Sequence, residues 1–339
     1  MYVRRNIRWS IILRFAWFNL VKFTLWAAFV VWVFHFYEHQ GVNISIPFLP
    51  LSTIGIAVAF YLSFKNNASY DRFWEARKIW GGIVNYSRTW ANQVMSFVSN
   101  HEASEKLSEK ELQEIRRQLI HRHVAWLNAL RLHLRQPVSF SLKHKRSVRG
   151  LAQGSPEREH WDEEVGELLD AEEYNYLIDR RNTPTQIIRK QGEMLRIYME
   201  EKGLINNFRH MEMMRVLEEF YNLQGKCERI KNTPFPRQYA YFSKLFTSIF
   251  ILLLPIGLVG EFYEMGHGFI VLTIPFSVLI SWVFSTMEMV GDNSEDPFEN
   301  FVNDVPMTAL CRTIEIDLRE MLGEKELPPS IKAVNDILM

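Results

Sequence analysis

The sequence predicts an all-α membrane protein with four transmembrane helices and a helical cytosolic domain. Long apolar stretches occur in two pairs, one near each end of the 339-residue chain. The polar middle repeats apolar residues at steps of three and four, as helices do, without a convincing strand alternation. We therefore divide the chain into residues 1–64, with an interfacial helix and spans one and two; 65–239, cytosolic; 240–290, spans three and four; and 291–339, a cytosolic end with a packing helix.

The composition excludes several classes of protein. Basic and acidic residues balance at 39 each, so no net field attracts nucleic acid. The two cysteines, Cys227 and Cys311, lie far apart and are expected to be free thiols. No phosphate-binding loop, HExxH motif, nucleophile elbow or CxxC pair occurs. The sequence predicts neither an enzyme nor a cofactor.

The N-terminus combines basic and apolar residues. Arg4, Arg5 and Arg8 precede a short apolar run and favour a helix lying at the lipid headgroups, with a soluble amphipathic helix as the alternative. Span one follows at about 17–37 and contains one charge, Lys22. The next connection, residues 38–47, has no Lys or Arg and is predicted to face outward.

The second span, from about residue 47 to 64, leads without a proline into a polar helix that continues to at least residue 80. Residues 48–64 carry no charge, and Lys65 follows at once. One face repeats large apolar residues at i, i+4 and i+8, namely Ile56, Phe60 and Phe64. Gly55, Ala57, Ala59 and Ser63 between them would let several copies of this helix pack closely. Any membrane helix shows such spacing, so the stripe alone is a weak signal.

Two segments, FYLSFKNNASYDRFWEAR and EDPFENFVNDVPMTALCRTIE, carry a resemblance to a known family. Together with the hydrophobic layout, they resemble the bacterial branch of the bestrophin ion channels over most of the chain. The resemblance implies a homopentamer whose membrane neck is formed by Ile56, Phe60 and Phe64. Asn66, Asn67 and Asp71 would then lie at the junction where the second helix passes from the membrane into the cytosol. The resemblance also implies a cytosolic aperture at Phe208, or at Met211 one turn further along the helix. Without the resemblance, we would interpret either residue as an ordinary buried side chain.

The polar middle is predicted to consist of helices and one loop. Residues 142–160 form the predicted loop, and residues 157–173 hold nine carboxylates against one arginine. We interpret that acidic run as a solvated helix face, with a cation-attracting mouth as the alternative. One helix is expected to have Thr183 as its N-cap and to close at Gly203, and the next to run from about Asn206 to Cys227.

Spans three and four are predicted at about 241–259 and 269–290. Their connection again lacks Lys and Arg, so both termini are expected in the cytoplasm. The resemblance to bacterial bestrophins implies that the membrane is the bacterial plasma (inner) membrane. A helix beginning near Pro306 places five apolar residues on one face, as expected for packing: Met307, Leu310, Ile314, Leu318 and Met321.

Four acidic residues near the C-terminal end resemble in position the calcium clasp of animal bestrophins: Asp292, Glu295, Asp296 and Glu299. The animal run of successive carboxylates is missing, and Pro297 and Phe298 interrupt what remains. Because calcium needs six to eight oxygen ligands, we predict no metal site there. His121 and His123 are two apart on a helix and point away from each other, which is wrong for one metal.

The favoured function is an ion channel for small monovalent ions, made by several copies of the chain in a lipid bilayer. The resemblance implies chloride or other anions, and a channel for Na⁺ or K⁺ is the alternative. A secondary transporter and a membrane-anchored scaffold are the alternatives from other classes. The transporter is disfavoured because Lys22, Lys244, Glu261 and Glu288 all lie near span ends rather than in mid-bilayer.

Overall fold

The computed structural model describes residues 1–100, 102–103, 105–137 and 160–339, and every long element within these ranges is an α-helix. The all-α prediction is confirmed. The predicted loop at 142–160 lies, apart from His160, outside the described residues. In chain order the helices are α1 (Trp9–Glu38), α2 (Phe48–Phe97), α3 (Glu109–Arg135), α4 (Trp161–Glu164), α5 (Ala171–Ile178), α6 (Thr183–Glu200), α7 (Asn207–Asn232), α8 (Arg237–Glu264), α9 (Thr273–Ser294) and α10 (Met307–Leu322).

The described chain forms two compact units. The membrane unit consists of Arg4–Arg72 and Phe235–Glu295, and the polar unit consists of Met1–Val3, Phe73–Pro234 and Asp296–Met339. Four helices are long and apolar enough to cross a membrane, namely α1 from Phe15, α2, α8, and α9 together with the short 3-10 turn His267–Leu272 before it. Helix α2 begins in the membrane unit and ends in the polar unit.

Helix α1 is continuous from Trp9, so the residues expected to form a separate interfacial helix are its first turns. No proline or glycine lies between Trp9 and the first span, and the helix has no reason to stop. Arg4, Arg5 and Arg8 precede the helix and are exposed.

Within the membrane unit, one face of α2 packs against α8. Leu51, Val58 and Leu62 are buried against Phe250 and its neighbours on α8. Gly55 makes this approach possible, because a Cβ there would lie 2.8 Å from the Phe250 ring. The small residue expected to serve packing between copies therefore serves packing inside one chain.

The polar unit is organised around α3, most of whose side chains are buried. The helix starts with a capping box: the Ser108 hydroxyl accepts from Glu111 N at 3.3 Å, and Ser108 N donates to the Glu111 carboxylate at 2.7 Å. Trp80 and Trp90 of α2 join Trp126 of α3 in the same core. The polar half of α2 is thus held by burial of large aromatic side chains.

Four predicted helix details differ in the structure. Helix α6 has Asn182 as its N-cap, with Thr183 as the first helical residue, because the Asn182 side chain accepts from Thr185 N at 3.2 Å. It ends at Glu200, three residues before Gly203. Helix α7 runs from Asn207 to Asn232, five residues beyond the expected end. On α10 the buried face includes Cys311, and Met321 is exposed.

Candidate functional site: the exposed face of helix α2 and its junction

The described part of the chain leaves one stripe of α2 uncovered. Ile56, Phe60 and Phe64 are 60, 63 and 61% exposed, whereas Val58 and Leu62 on the opposite face are 4 and 0% exposed. The spacing of four residues places the three large side chains over one another along about 12 Å of helix. The stripe is therefore an apolar surface that the single chain presents to its surroundings.

The same helical sector continues past the uncharged stretch. Asn67 and Asp71 are both exposed. At about 100° per residue they fall within the roughly 60° sector that also contains Phe60 and Phe64. The sector thus changes from aromatic to amide and carboxylate within two turns. Asn66, the third predicted junction residue, is half-buried and lies off this sector, against Gly291 of α9.

Lys65 is the main feature of this junction that sequence reasoning missed. Its side chain is 0% exposed, and its Nζ lies 3.1 Å from Glu288 Oε1 and 3.5 Å from Asp292 Oδ1, both on α9. The sequence shows Lys65 only as the end of the uncharged stretch, and its partners lie more than 220 residues away. A signal was present: Glu288 and Asp292 are four residues apart at the end of span four and share a helix face.

Of the four acidic residues that resemble the calcium clasp, three lie beside basic side chains, and Asp296 is buried. Asp292 lies beside Lys65, as described above. In the membrane unit, Glu295 lies 3.5 Å from Arg237, and its carbonyl accepts from Arg72 Nε at 2.8 Å. In the polar unit, Glu299 lies 2.7 Å from Lys231, and Asp296 is buried. Within the described residues, no three His, Cys, Asp or Glu side chains are gathered as a metal ion requires.

The predicted aperture residues lie in the first turns of α7. Phe208 is 82% exposed and Met211 is 55% exposed. Asn206 caps the helix by accepting from Arg209 N at 2.9 Å, and the Arg209 guanidinium donates to Phe97 O at 3.2 Å. The start of α7 is therefore tied to the end of α2, and Phe208 projects without cover from the described residues.

The acidic run is only partly solvated in the part that the structure describes, which begins at His160. Glu173 forms an ion pair with the buried Arg122 at 2.7 Å, and Glu164 pairs with Arg131. Glu163, Glu167, Asp170 and Glu172 are exposed. The net negative field of this segment is therefore smaller than its composition indicates, because its inner carboxylates neutralise buried arginines.

The histidines of α3 contact separate groups. His121 lies 2.8 Å from Glu324, and His133 lies 4.0 Å from Glu228. His123 is buried, with its Nε2 at 2.8 Å from Ser87 Oγ. Burial lowers the pKa of His123 to about 3, so this ring is neutral at physiological pH.

Comparisons with known proteins agree with this architecture. The family model for Bacterial/Fungal Bestrophin protein matches residues 3–320. The voltage-dependent anion channel-forming protein YneE of Escherichia coli K12 is 27% identical over 334 residues, covering 97% of this chain and 94% of that protein. The protein RSc3414 of Ralstonia nicotianae, with the same description, is 29% identical over 286 residues, covering 84% of this chain and 81% of that protein.

A solved structure shares the fold. The crystal structure of a bacterial bestrophin homolog from Klebsiella pneumoniae superposes with a TM-score of 0.72 at 26% identity, covering 91% of this chain and 99% of that one. The family match covers both motif segments, and it also covers all four membrane-length helices. The chain belongs to the bestrophin family, in its bacterial and fungal branch, whose relatives are described as ion channels and not as enzymes.

Proposed function

We propose that several copies of this chain, five by family likeness, form an ion channel whose membrane neck is lined by Ile56, Phe60 and Phe64. The observation that carries the proposal is the exposed stripe on α2, which the described chain does not cover although the opposite face is buried. Uncharged rings of this kind gate by excluding and admitting water.

The stripe is continued beyond the uncharged stretch by Asn67 and Asp71, which are exposed and lie in the same sector of α2. In a pore, Asn67 and Asp71 would form polar rings at the cytosolic end of the neck. The family likeness then assigns Phe208, or Met211, to a further aperture at the cytosolic exit, where their exposure leaves them available to neighbouring copies.

We assign small anions as the permeant ions, because the curated relatives are described as anion channel-forming proteins. Neutral aromatic rings discriminate weakly, although their positive edges favour anions. A channel for monovalent cations is the second candidate, favoured by the exposed Asp71 and by the exposed carboxylates of residues 160–173. The distribution of Lys and Arg favours an orientation with both termini in the cytoplasm, and the bacterial branch of the family favours the plasma (inner) membrane.

Purified protein in a planar bilayer under a salt gradient tests the proposal. We expect stepwise currents whose reversal potential lies toward the anion equilibrium potential. Phe64→Ala should widen the neck and raise the open fraction or the unitary current, because a ring of large side chains is removed. The matched control is Phe18→Ala on α1, which removes an equally exposed phenyl group, 66%, from another helix.

Each other outcome identifies a competing function. A reversal potential toward the cation equilibrium would establish the cation channel. Smooth, saturable flux would indicate a transporter, and absence of any flux a scaffold. Wild-type behaviour in both Phe60→Ala and Phe64→Ala, with stepwise current retained, would show that the stripe does not line the pore.

A further inference from the structure

A cavity of about 530 Å³ lies between α1, α8 and α9 inside the membrane unit. Polar side chains line one end, including Lys22 of α1, Lys244 and Ser248 of α8, and Glu288 of α9. Trp26 and Phe29 of α1 and Leu252 of α8 line the other. The cavity is therefore amphipathic along its length.

The polar end lies at the level where the uncharged part of α2 stops. Glu288 is 3.1 Å from Lys65, the first charged residue after that stretch. From Lys22 to Phe29 and from Lys244 to Leu252, the helices rise about 10–12 Å into the apolar layer. Trp26 Nε1 donates to Leu252 O at 3.1 Å and links the two walls there. The cavity thus runs from the membrane boundary into the hydrocarbon region.

The charge at the polar end is positive. Glu288 contributes little negative field, because Lys65 compensates it. Lys22 and Lys244 are both exposed. A second observation points to a polar ligand or its hydration: Thr247, which lines the same cavity, is 3% exposed, and its hydroxyl has no hydrogen-bond partner in the described structure. Two ammonium groups at the polar end and an apolar wall at the other are complementary to a lipid with an anionic headgroup and an acyl chain.

We propose that this cavity binds an anionic phospholipid, with the phosphate between the ammonium groups of Lys22 and Lys244 and an acyl chain against Trp26, Phe29 and Leu252. The volume is within the range of small-molecule sites, so the cavity holds part of one lipid rather than a bulk annulus. The site lies on helices other than α2 and requires no assumption about which ion the protein passes.

Lipid titration of the intact detergent-purified oligomer, followed by native mass spectrometry, tests the site. The probes are dioleoyl-phosphatidylglycerol and the zwitterionic dioleoyl-phosphatidylcholine. We expect the double variant Lys22→Gln/Lys244→Gln to bind phosphatidylglycerol roughly 25-fold more weakly, since each lysine near a headgroup contributes about a fivefold factor. Phosphatidylcholine binding should not change.

Two controls separate the charge from the fold. Lys22→Arg/Lys244→Arg keeps both cations and should keep the preference for phosphatidylglycerol. Lys226→Gln removes an exposed lysine of α7, in the polar unit, and should have no effect. Equal affinity of wild type for the two lipids, or an unchanged phosphatidylglycerol affinity in the double glutamine variant, would overturn the proposal. So would an assembly structure in which a side chain of a second copy fills the cavity.

Discussion

Replacing Lys65 with methionine would leave Glu288 and Asp292 without the ammonium group that lies 3.1 and 3.5 Å from them. The two carboxylates are four residues apart on α9 and would then repel each other at close range. Removing one partner of a fully buried ion pair costs about 3–5 kcal/mol. Glu288 and Asp292 retain 15 and 29% exposure, so water compensates part of this loss. We therefore expect a destabilisation of about 2–3 kcal/mol.

Thermal unfolding in detergent, followed by tryptophan fluorescence, measures this effect. At about 2 °C per kcal/mol for a chain of this size, Lys65→Met should lower Tm by about 4–6 °C. Lys65→Met/Glu288→Gln/Asp292→Asn should recover most of that loss, because neutral side chains leave no uncompensated charge. Lys78→Met, which removes an exposed lysine from the same helix, should melt with the wild type.

A Lys65→Met variant that melts within 1 °C of the wild type, or a triple variant that melts below the single one, would contradict a stabilising role of the Lys65 ion pairs. Because Lys65 directly follows Phe64, the variant also tests the proposed neck. We expect its single-channel gating to change, since the α9 carboxylates no longer fix the turn of α2 that carries Phe64.

Three further predictions concern the polar unit. The pKa of His123 is lowered to about 3, so the free energy of unfolding should be highest above pH 6.5 and should be about 2 kcal/mol lower at pH 5. Chemical unfolding of His123→Gln should show a weaker dependence of this free energy on pH. Burial raises the pKa of the Cys311 thiol to about 11 and that of Cys227 still further, so a maleimide at pH 8 should label neither thiol in the folded protein and both after denaturation. Gly203 has φ +58° and a Cβ there would lie 2.6 Å from Glu102 O, so Gly203→Ala should cost about 2 kcal/mol or more in unfolding experiments.

The membrane helices could be predicted from the sequence because their signal is local. A charge inside the hydrocarbon layer is so unfavourable that uncharged stretches reveal the spans directly. The continuation of α2 beyond Lys65 could also be predicted, since no proline follows that would end the helix. The N-cap of α6 was harder to predict: Asn182 and Thr183 are both favourable N-cap residues, and in the structure it is the Asn182 side chain that accepts from Thr185 N.

The ion pairs of Lys65, Arg237 and Lys231 were not predicted because their partners are distant in sequence. Lys65, Arg237 and Lys231 each meet a carboxylate in the last 60 residues of the chain, and no periodicity links such positions. These pairs engage Asp292, Glu295 and Glu299, three of the four acidic residues that resemble in position the calcium clasp of animal bestrophins. The stripe of Ile56, Phe60 and Phe64 could be predicted from spacing alone, whereas the residues that would face it in the proposed channel belong to other copies of the chain.

Within the membrane unit, α2 carries Lys65 directly after Phe64, the last large residue of the exposed stripe. Inserting one residue between Leu62, which is buried against α8, and Lys65 would turn Lys65 by about 100° and advance it by about 1.5 Å. Lys65 would then no longer face Glu288 and Asp292. This part of α2 therefore tolerates substitution better than small insertions or deletions.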